Sequence, residues 1–197
     1  MSGHMNNAAP LPVPVYEPSV WFANNDLTGP TVIVARKKVV ELKGVFRDDA
    51  ARAAANADTL AYSVLAHLPV AEGTEAGLFF GISILEPGLV ADEYFMTRGH
   101  FHAKSDRAEY YWGLSGSGLL LLMDRDRNAR VEAVKPGSLH FIPGHTAHRL
   151  VNIGTTQLRV GACWPSDAGH DYDALMPGGF GVRVFCRDGK PVIERSA

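Results

Sequence analysis

The sequence predicts an all-β chain folded as an antiparallel sandwich or barrel, and three observations carry that expectation. After residue 60 the apolar and β-branched residues fall into runs of four to eight, at 62–68, 78–85, 94–97, 110–114, 118–124, 129–134, 138–142, 149–153, 158–164 and 181–186. Turn residues separate the runs at short intervals, as at Glu86-Pro87-Gly88, Ser115-Gly116-Ser117-Gly118, Lys135-Pro136-Gly137 and Pro143-Gly144. Helix-forming sequence is confined to one stretch. Many short strands with Gly/Pro punctuation are the pattern of hairpins closing into two packed sheets or a barrel.

Taken in chain order, residues 1–30 are expected to form an extended arm, with Met1-Ser2-Gly3-His4-Met5 set aside as a cloning remnant. Pro10, Pro12, Pro14 and Pro18 remove amide donors and favour extended chain over helix or central strand. Residues 31–197 are expected to be a single domain. Residues 31–35, Thr-Val-Ile-Val-Ala, open it as a short strand. Residues 48–57 form the one clear helix, with Asp48 and Asp49 in the first turn and alanines through the middle. The ten strand runs follow.

Composition narrows the classes of function. A chain of 197 residues with 46% apolar and 20% charged residues has an ordinary globular balance, which excludes a disordered, collagen-like or coiled-coil chain. A chain of this size buries roughly 70% of the surface it exposes unfolded, so neither disulfide nor metal is needed merely to fold. Lys plus Arg is 19 against 21 Asp plus Glu, with no basic run, so no nucleic-acid partner is expected. The run Gly118-Leu119-Leu120-Leu121-Leu122-Met123 is too short to cross a bilayer, and the start lacks signal-peptide character, so a cytoplasmic protein without membrane partners is expected. Cys163 and Cys186 make neither a disulfide framework nor a cysteine-based zinc site.

The chemistry concentrates between Thr97 and Tyr111. Positions two apart in extended chain face the same way, so His100 and His102 point into one space while Phe101 points away. Glu109, at the start of the next strand, can return a carboxylate to that space. His148 opens a later strand after the Pro143-Gly144 turn, within a Gly-x5-Pro-x4-His-x3-Asn frame running from Gly137 to Asn152. Three imidazoles and one carboxylate suit a divalent first-row ion: iron, manganese, nickel, copper or zinc. Four protein ligands leave two positions on an octahedral ion for a substrate that chelates through adjacent oxygens. Gly116-Ser117-Gly118 is read as a hairpin turn, not a phosphate cradle.

The two stretches together resemble the cupin double motif, with a His102-to-Glu109 gap longer than usual and His145 where the second motif ordinarily has glycine. The segment Thr97-x-Gly99-His100-Phe101-His102-Ala103-Lys104-x-Asp106-Arg107-Ala108-Glu109-x-Tyr111 is similar to the signature of the cupin-type phosphoglucose isomerases, in which the long gap is a family feature. Ala147-His148-Arg149-x-Val151-Asn152-Ile153-Gly154 and Asp167-Ala168-Gly169-His170-Asp171-Tyr172 also match. The resemblance covers about residues 36–190. It implies a cupin, jelly-roll-like β-barrel with an N-terminal extension and a short helix. It also implies metal held by His100, His102, Glu109 and His148, and a homodimer. One divalent ion per subunit is expected, Fe2+ first, with Mn2+, Ni2+ or Zn2+ as alternatives.

By the same resemblance, hydroxyls and backbone amides grip a sugar phosphate at Tyr62, Ser83, Thr97 and Gly99, with His170 and Tyr172 closing the site. Gly99 is expected to let a phosphate approach its amide. Trp164 stands where the family has tyrosine. Tyr111, two residues past Glu109 on the same face, either orients substrate or fills the barrel. The implied reaction interconverts glucose 6-phosphate and fructose 6-phosphate. Glu109 moves a proton from C2 to C1 through an enediolate, or a hydride migrates directly. An iron dioxygenase of the acireductone or cysteine type, and a non-catalytic sugar-phosphate-binding cupin, are the alternatives.

Overall fold

The computed structural model describes residues 13, 15–175 and 178–196. Most of the proline-rich arm, residues 1–12 and 14, lies outside them. Residues 15–20 carry no regular secondary structure and are mostly exposed.

All strand pairing is antiparallel, as the hairpin pattern requires. The strands are β1 (Trp21–Ala23), β2 (Asp26–Thr28), β3 (Val32–Lys38), β4 (Leu60–His67), β5 (Leu78–Leu85), β6 (Leu89–Val90), β7 (Glu93–Tyr94) and β8 (Glu109–Ser115). They continue with β9 (Gly118–Met123), β10 (Ala129–Val134), β11 (Leu139–Ile142), β12 (Ala147–Asn152), β13 (Leu158–Pro165), β14 (Val182–Arg187) and β15 (Lys190–Arg195). A six-stranded sheet runs in the order β11-β8-β13-β5-β4-β3, and it faces a three-stranded sheet β10-β9-β12 and a four-stranded sheet β15-β14-β7-β6. One core cluster draws on all three: Ala61, Leu85 and Val160 from the first, Leu120 and Leu150 from the second, Tyr94 and Val184 from the third. The fold is all-β, as the sequence predicts.

Two hairpins add strands beyond the expected runs. Within the span expected to be an extended arm, β1 and β2 pair across Asn24 and Asn25, both at positive φ. That geometry is the two-residue turn whose twist matches paired strands, and asparagine tolerates it. Leu27 of β2 then covers Ile82 and Ile84 on the outer face of β5. At the other end Asp188-Gly189, also at positive φ, turns β14 into β15, where Pro191 sits on an edge strand.

The expected helix is shorter than its alanine content suggests. Helix α1 spans Asp49–Ala53, capped by the Asp48 side chain, which accepts from the Ala51 amide. It closes on a tighter bond from the Ala55 amide to the Arg52 carbonyl, and beyond it Asn56 Oδ1 takes the Asp58 amide at 2.8 Å, a local bond in place of the helical ladder. The expected strand at 94–97 is likewise interrupted: only Glu93–Tyr94 lies in a ladder. The chain from Met96 to Phe101 is extended but tied by single bridges, Met96 to Val151, His100 to His148 and Phe101 to Asp171.

Candidate active site

Alternation along four neighbouring strands builds the pocket wall. Tyr62 and Val64 on β4 face inward, as do Gly81 and Ser83 on β5, Ala162 and Trp164 on β13, and Glu109 and Tyr111 on β8. β12 contributes His148, the extended 97–102 segment contributes Thr97, Gly99, His100 and His102, and the chain after β13 contributes His170 and Tyr172. All twelve residues singled out in the sequence therefore line one pocket of about 730 Å3, its open mouth included. Phe101 points the other way, 2% exposed in the core.

At the pocket floor, ligand nitrogens of His100, His102 and His148 lie within 4.8 Å of one another, an arrangement that can hold a metal ion. Glu109 Oε1 stands 2.6 Å from His148 Nε2 and 3.6 Å from His102 Nε2. Backbone carbonyls fix the imidazole tautomers. His102 Nδ1 donates to the Arg107 carbonyl at 2.8 Å, and His148 Nδ1 faces the Thr146 carbonyl at 3.4 Å. A carbonyl only accepts, so each Nδ1 carries a hydrogen, and in the neutral ring that leaves the Nε2 lone pair for a metal.

These tautomers test the fit to a metal. Glu109 Oε1 and His148 Nε2 are both buried and neither has a hydrogen-bond partner, despite their separation. Leaving a buried polar atom unpaired costs about 1–3 kcal/mol. Lone pairs converging in a dry site repel one another unless a cation lies between them. The donor set and its orphaned atoms thus fit a divalent ion.

Electrostatics keep the donors available. Burial, with His148, His170 and His102 around it, holds His100 well below the ordinary imidazole range, so it is neutral and free to ligate. His170 is lowered by burial and by the same imidazole neighbours. Burial works against ionised Glu109, while imidazoles of His148 and His102 that carry a proton on Nε2 bring its carboxyl down to about 2. Glu109 in turn raises His102 against the effect of burial. Tyr111 is pushed well above 10 by burial and by Glu109, and Tyr62 up to about 12 by burial. Both phenols are neutral donors.

The remaining residues show how the mouth is held. The Leu150 amide donates to Thr97 Oγ1 at 3.0 Å, leaving the hydroxyl hydrogen free. His170 and Tyr172 stack in parallel, 5.6 Å apart, with His170 4.3 Å from the His100 ring.

Comparison with known proteins supplies the family. A sequence profile described as glucose-6-phosphate isomerase matches residues 36–197. The chain belongs to the glucose-6-phosphate isomerase family. It is 37% identical to a glucose-6-phosphate isomerase of Thermococcus litoralis over 80% of this chain and 83% of that protein. It is 40% identical to those of Thermococcus kodakarensis (81% and 86%) and Sinorhizobium medicae strain WSM419 (76% and 70%). Among solved structures, oxalate decarboxylase from Bacillus subtilis superposes with a TM-score of 0.45 at 19% identity, over 56% of this chain and 26% of that one.

Two positions of this isomerase-family chain carry packing constraints as well. A Cβ on Gly99 would meet protein. It would lie 2.6 Å from the Phe180 ring and 3.0 Å from the His148 carbonyl, at a φ of +72°, so glycine is required by the close approach of β12 and Phe180. Trp164 is accommodated by Gly81, whose Cβ would stand 3.0 Å from the indole. Sequence reasoning passed over Arg98, which sits between Thr97 and Gly99, lines the pocket and stacks its guanidinium 4.5 Å from the Tyr172 ring centre. Its signal was its position between two expected phosphate contacts.

Proposed function

We propose that this chain interconverts glucose 6-phosphate and fructose 6-phosphate at a divalent metal centre held by His100, His102, Glu109 and His148. Family membership supports the reaction. The observation that carries the metal dependence is the pair of buried, unpartnered atoms, Glu109 Oε1 and His148 Nε2, turned toward the same point as His102 Nε2. A divalent ion bound there supplies Lewis acidity toward two adjacent sugar oxygens. Fe2+ is the first choice, with Mn2+, Ni2+ and Zn2+ as alternatives.

In this scheme the open end of the pocket takes the phosphate. Tyr62, Ser83 and Thr97 donate hydroxyls, and the Gly99 amide adds a backbone donor; converging donors of this kind strengthen against a dianion. Tyr111 and Trp164 orient the sugar from the barrel wall, and His170 with Tyr172 excludes water from the reacting carbons. Glu109 takes the proton from C2 and returns it to C1. If a hydride migrates instead, Glu109 keeps only its place beside His148, and deuterium at C2 is retained at C1 without wash-out into solvent.

The same proposal covers a cytoplasmic homodimer. Exposed Tyr110, Leu139 and Phe141 on the outer face of the six-stranded sheet give such an interface apolar material. The deciding experiment is a coupled assay of fructose 6-phosphate isomerisation before chelation, after it, and after metal add-back. Loss and recovery of turnover is expected. Full activity in thoroughly demetallated protein overturns the metal centre, and absence of turnover with every metal overturns the reaction.

A further inference from the structure

Six residues separate His102 from Glu109, and two of them converge on one distant carboxylate. Arg107 Nε and Nη2 donate to Asp167 Oδ1 and Oδ2 at 2.9 and 2.8 Å, and Lys104 Nζ donates to Oδ2 at 2.8 Å. The Asp167 side chain is 2% exposed, and the fork of Arg107 on it is the bidentate geometry that fixes orientation as well as distance. The Lys104 amide also donates to the Ala168 carbonyl at 2.9 Å.

Asp167 begins the segment that carries His170 and Tyr172 over the pocket. Four residues later that segment pairs again with the metal-binding stretch. The Asp171 amide donates to the Phe101 carbonyl at 2.8 Å and the Phe101 amide to the Asp171 carbonyl at 3.3 Å, between His100 and His102. Arg107 joins the first of these attachments to the metal-binding stretch. Its guanidinium holds Asp167, and its own carbonyl accepts from His102 Nδ1, fixing the ring whose Nε2 faces Glu109.

We infer that Arg107 is a positioning residue that couples the metal-binding imidazole of His102 to the closing segment bearing His170 and Tyr172. The inference rests on the metal centre and reaction proposed above. It also gives the long His102-to-Glu109 gap a purpose, since a shorter connection would not carry both Lys104 and Arg107 to Asp167. Shifting the closing segment then shifts His102, and displacing His102 loosens the lid over substrate.

The test uses Asp167→Asn and Arg107→Met, the second of which leaves the carbonyl to His102 in place. Mn2+ affinity is measured on metal-stripped protein, and the KM and kcat for fructose 6-phosphate on protein saturated with Mn2+. Each variant is expected to weaken Mn2+ binding about tenfold and to raise KM about tenfold, with kcat changed less than about threefold, because groups that orient a metal ligand typically act on affinity at this scale. Arg107→Lys keeps charge without the fork and falls between. Should either variant fail to fold, Arg107→Lys and Lys104→Ala carry the test, each expected to move both constants the same way by about two- to threefold. Values within about 1.5-fold of the parent in all folded variants, or movement of only one of the two constants, overturn the coupling. A parent protein that binds Mn2+ but does not turn over fructose 6-phosphate overturns the proposed reaction instead, and the Mn2+ measurements still decide the coupling to His102.

Discussion

Glu109 Oε1 lies 2.6 Å from His148 Nε2, and no hydrogen bond joins them, because the His148 hydrogen sits on Nδ1 facing the Thr146 carbonyl. With the imidazole neutral, two electron-rich atoms held that close are under strain in metal-free protein. The contact gives Glu109→Gln two effects of opposite sign. The amide can donate to His148 Nε2, so the metal-free variant should melt higher, by about 2–4 °C for each kcal/mol relieved in a chain of this size. The same change removes a charged ligand and the proposed base, so kcat/KM should fall by a factor of about 10² to 10⁴. Thermal melts of demetallated protein together with steady-state kinetics check both signs. His148→Ala should lose activity to a similar degree without gaining stability.

His145 adopts a φ of +61° in the turn before β12. Glycine ordinarily stands at this position of the motif, and the backbone shows why: an L side chain there costs about 1–2 kcal/mol, while glycine costs about 0.5–1 kcal/mol in lost unfolded-state freedom. His145→Gly should therefore stabilise the fold by about 0.5–1 kcal/mol, read as a higher midpoint in urea at unchanged slope. The His145 amide bond to the Ser105 carbonyl is a backbone contact and survives the change. Activity should hardly move, since His145 is not among the pocket residues.

These two sites mark what the sequence makes legible. The His100, His102, Glu109 and His148 frame could be read because its geometry is local, set by alternation along extended chain and by two short spacings. The strand runs were legible for the same reason. The β1–β2 hairpin and strand β15 escape the sequence pattern although Asn24-Asn25 and Asp188-Gly189 are turn signals, because β1 and β15 are exposed and carry little apolar alternation. Helix α1 stops short of the span its alanines favour, because alanine propensity says nothing of the local bond Asn56 makes beyond its end. The Asp167 clamp and the packing of Gly99 against Phe180 join residues far apart in the chain, and no spacing rule announces them.

Trp164 and Gly81 form a matched pair, with the indole over the position a Cβ would fill. Gly81→Ala should push the indole toward the substrate and raise the KM for fructose 6-phosphate by about tenfold, the scale of a misplaced positioning group. Adding Trp164→Tyr should recover part of that loss by withdrawing the larger ring. Recovery should remain incomplete, because the new methyl also stands 2.8 Å from the Leu65 carbonyl. Kinetics of the two single variants and the double variant separate the contributions as a cycle.

Asp167 sets an acid limit on the closing segment. Its hydrogen bonds from Arg107 and Lys104 hold the carboxyl well below the usual carboxylate range. A group whose folded pKa is depressed contributes stability that is complete above its unfolded value, about 3.9 for aspartate, and that is lost as pH falls from there toward the folded value. The clamp should therefore be indifferent to pH through the neutral range and weaken only in acid. Melting temperatures of the parent and Asp167→Asn, measured in steps from neutral pH downward, should differ by a constant amount until about pH 4 and converge below it, because protonated aspartic acid and asparagine are then nearly equivalent partners for Arg107. A gap that narrows already near neutrality would instead assign the pH response to another group and remove Asp167 from it.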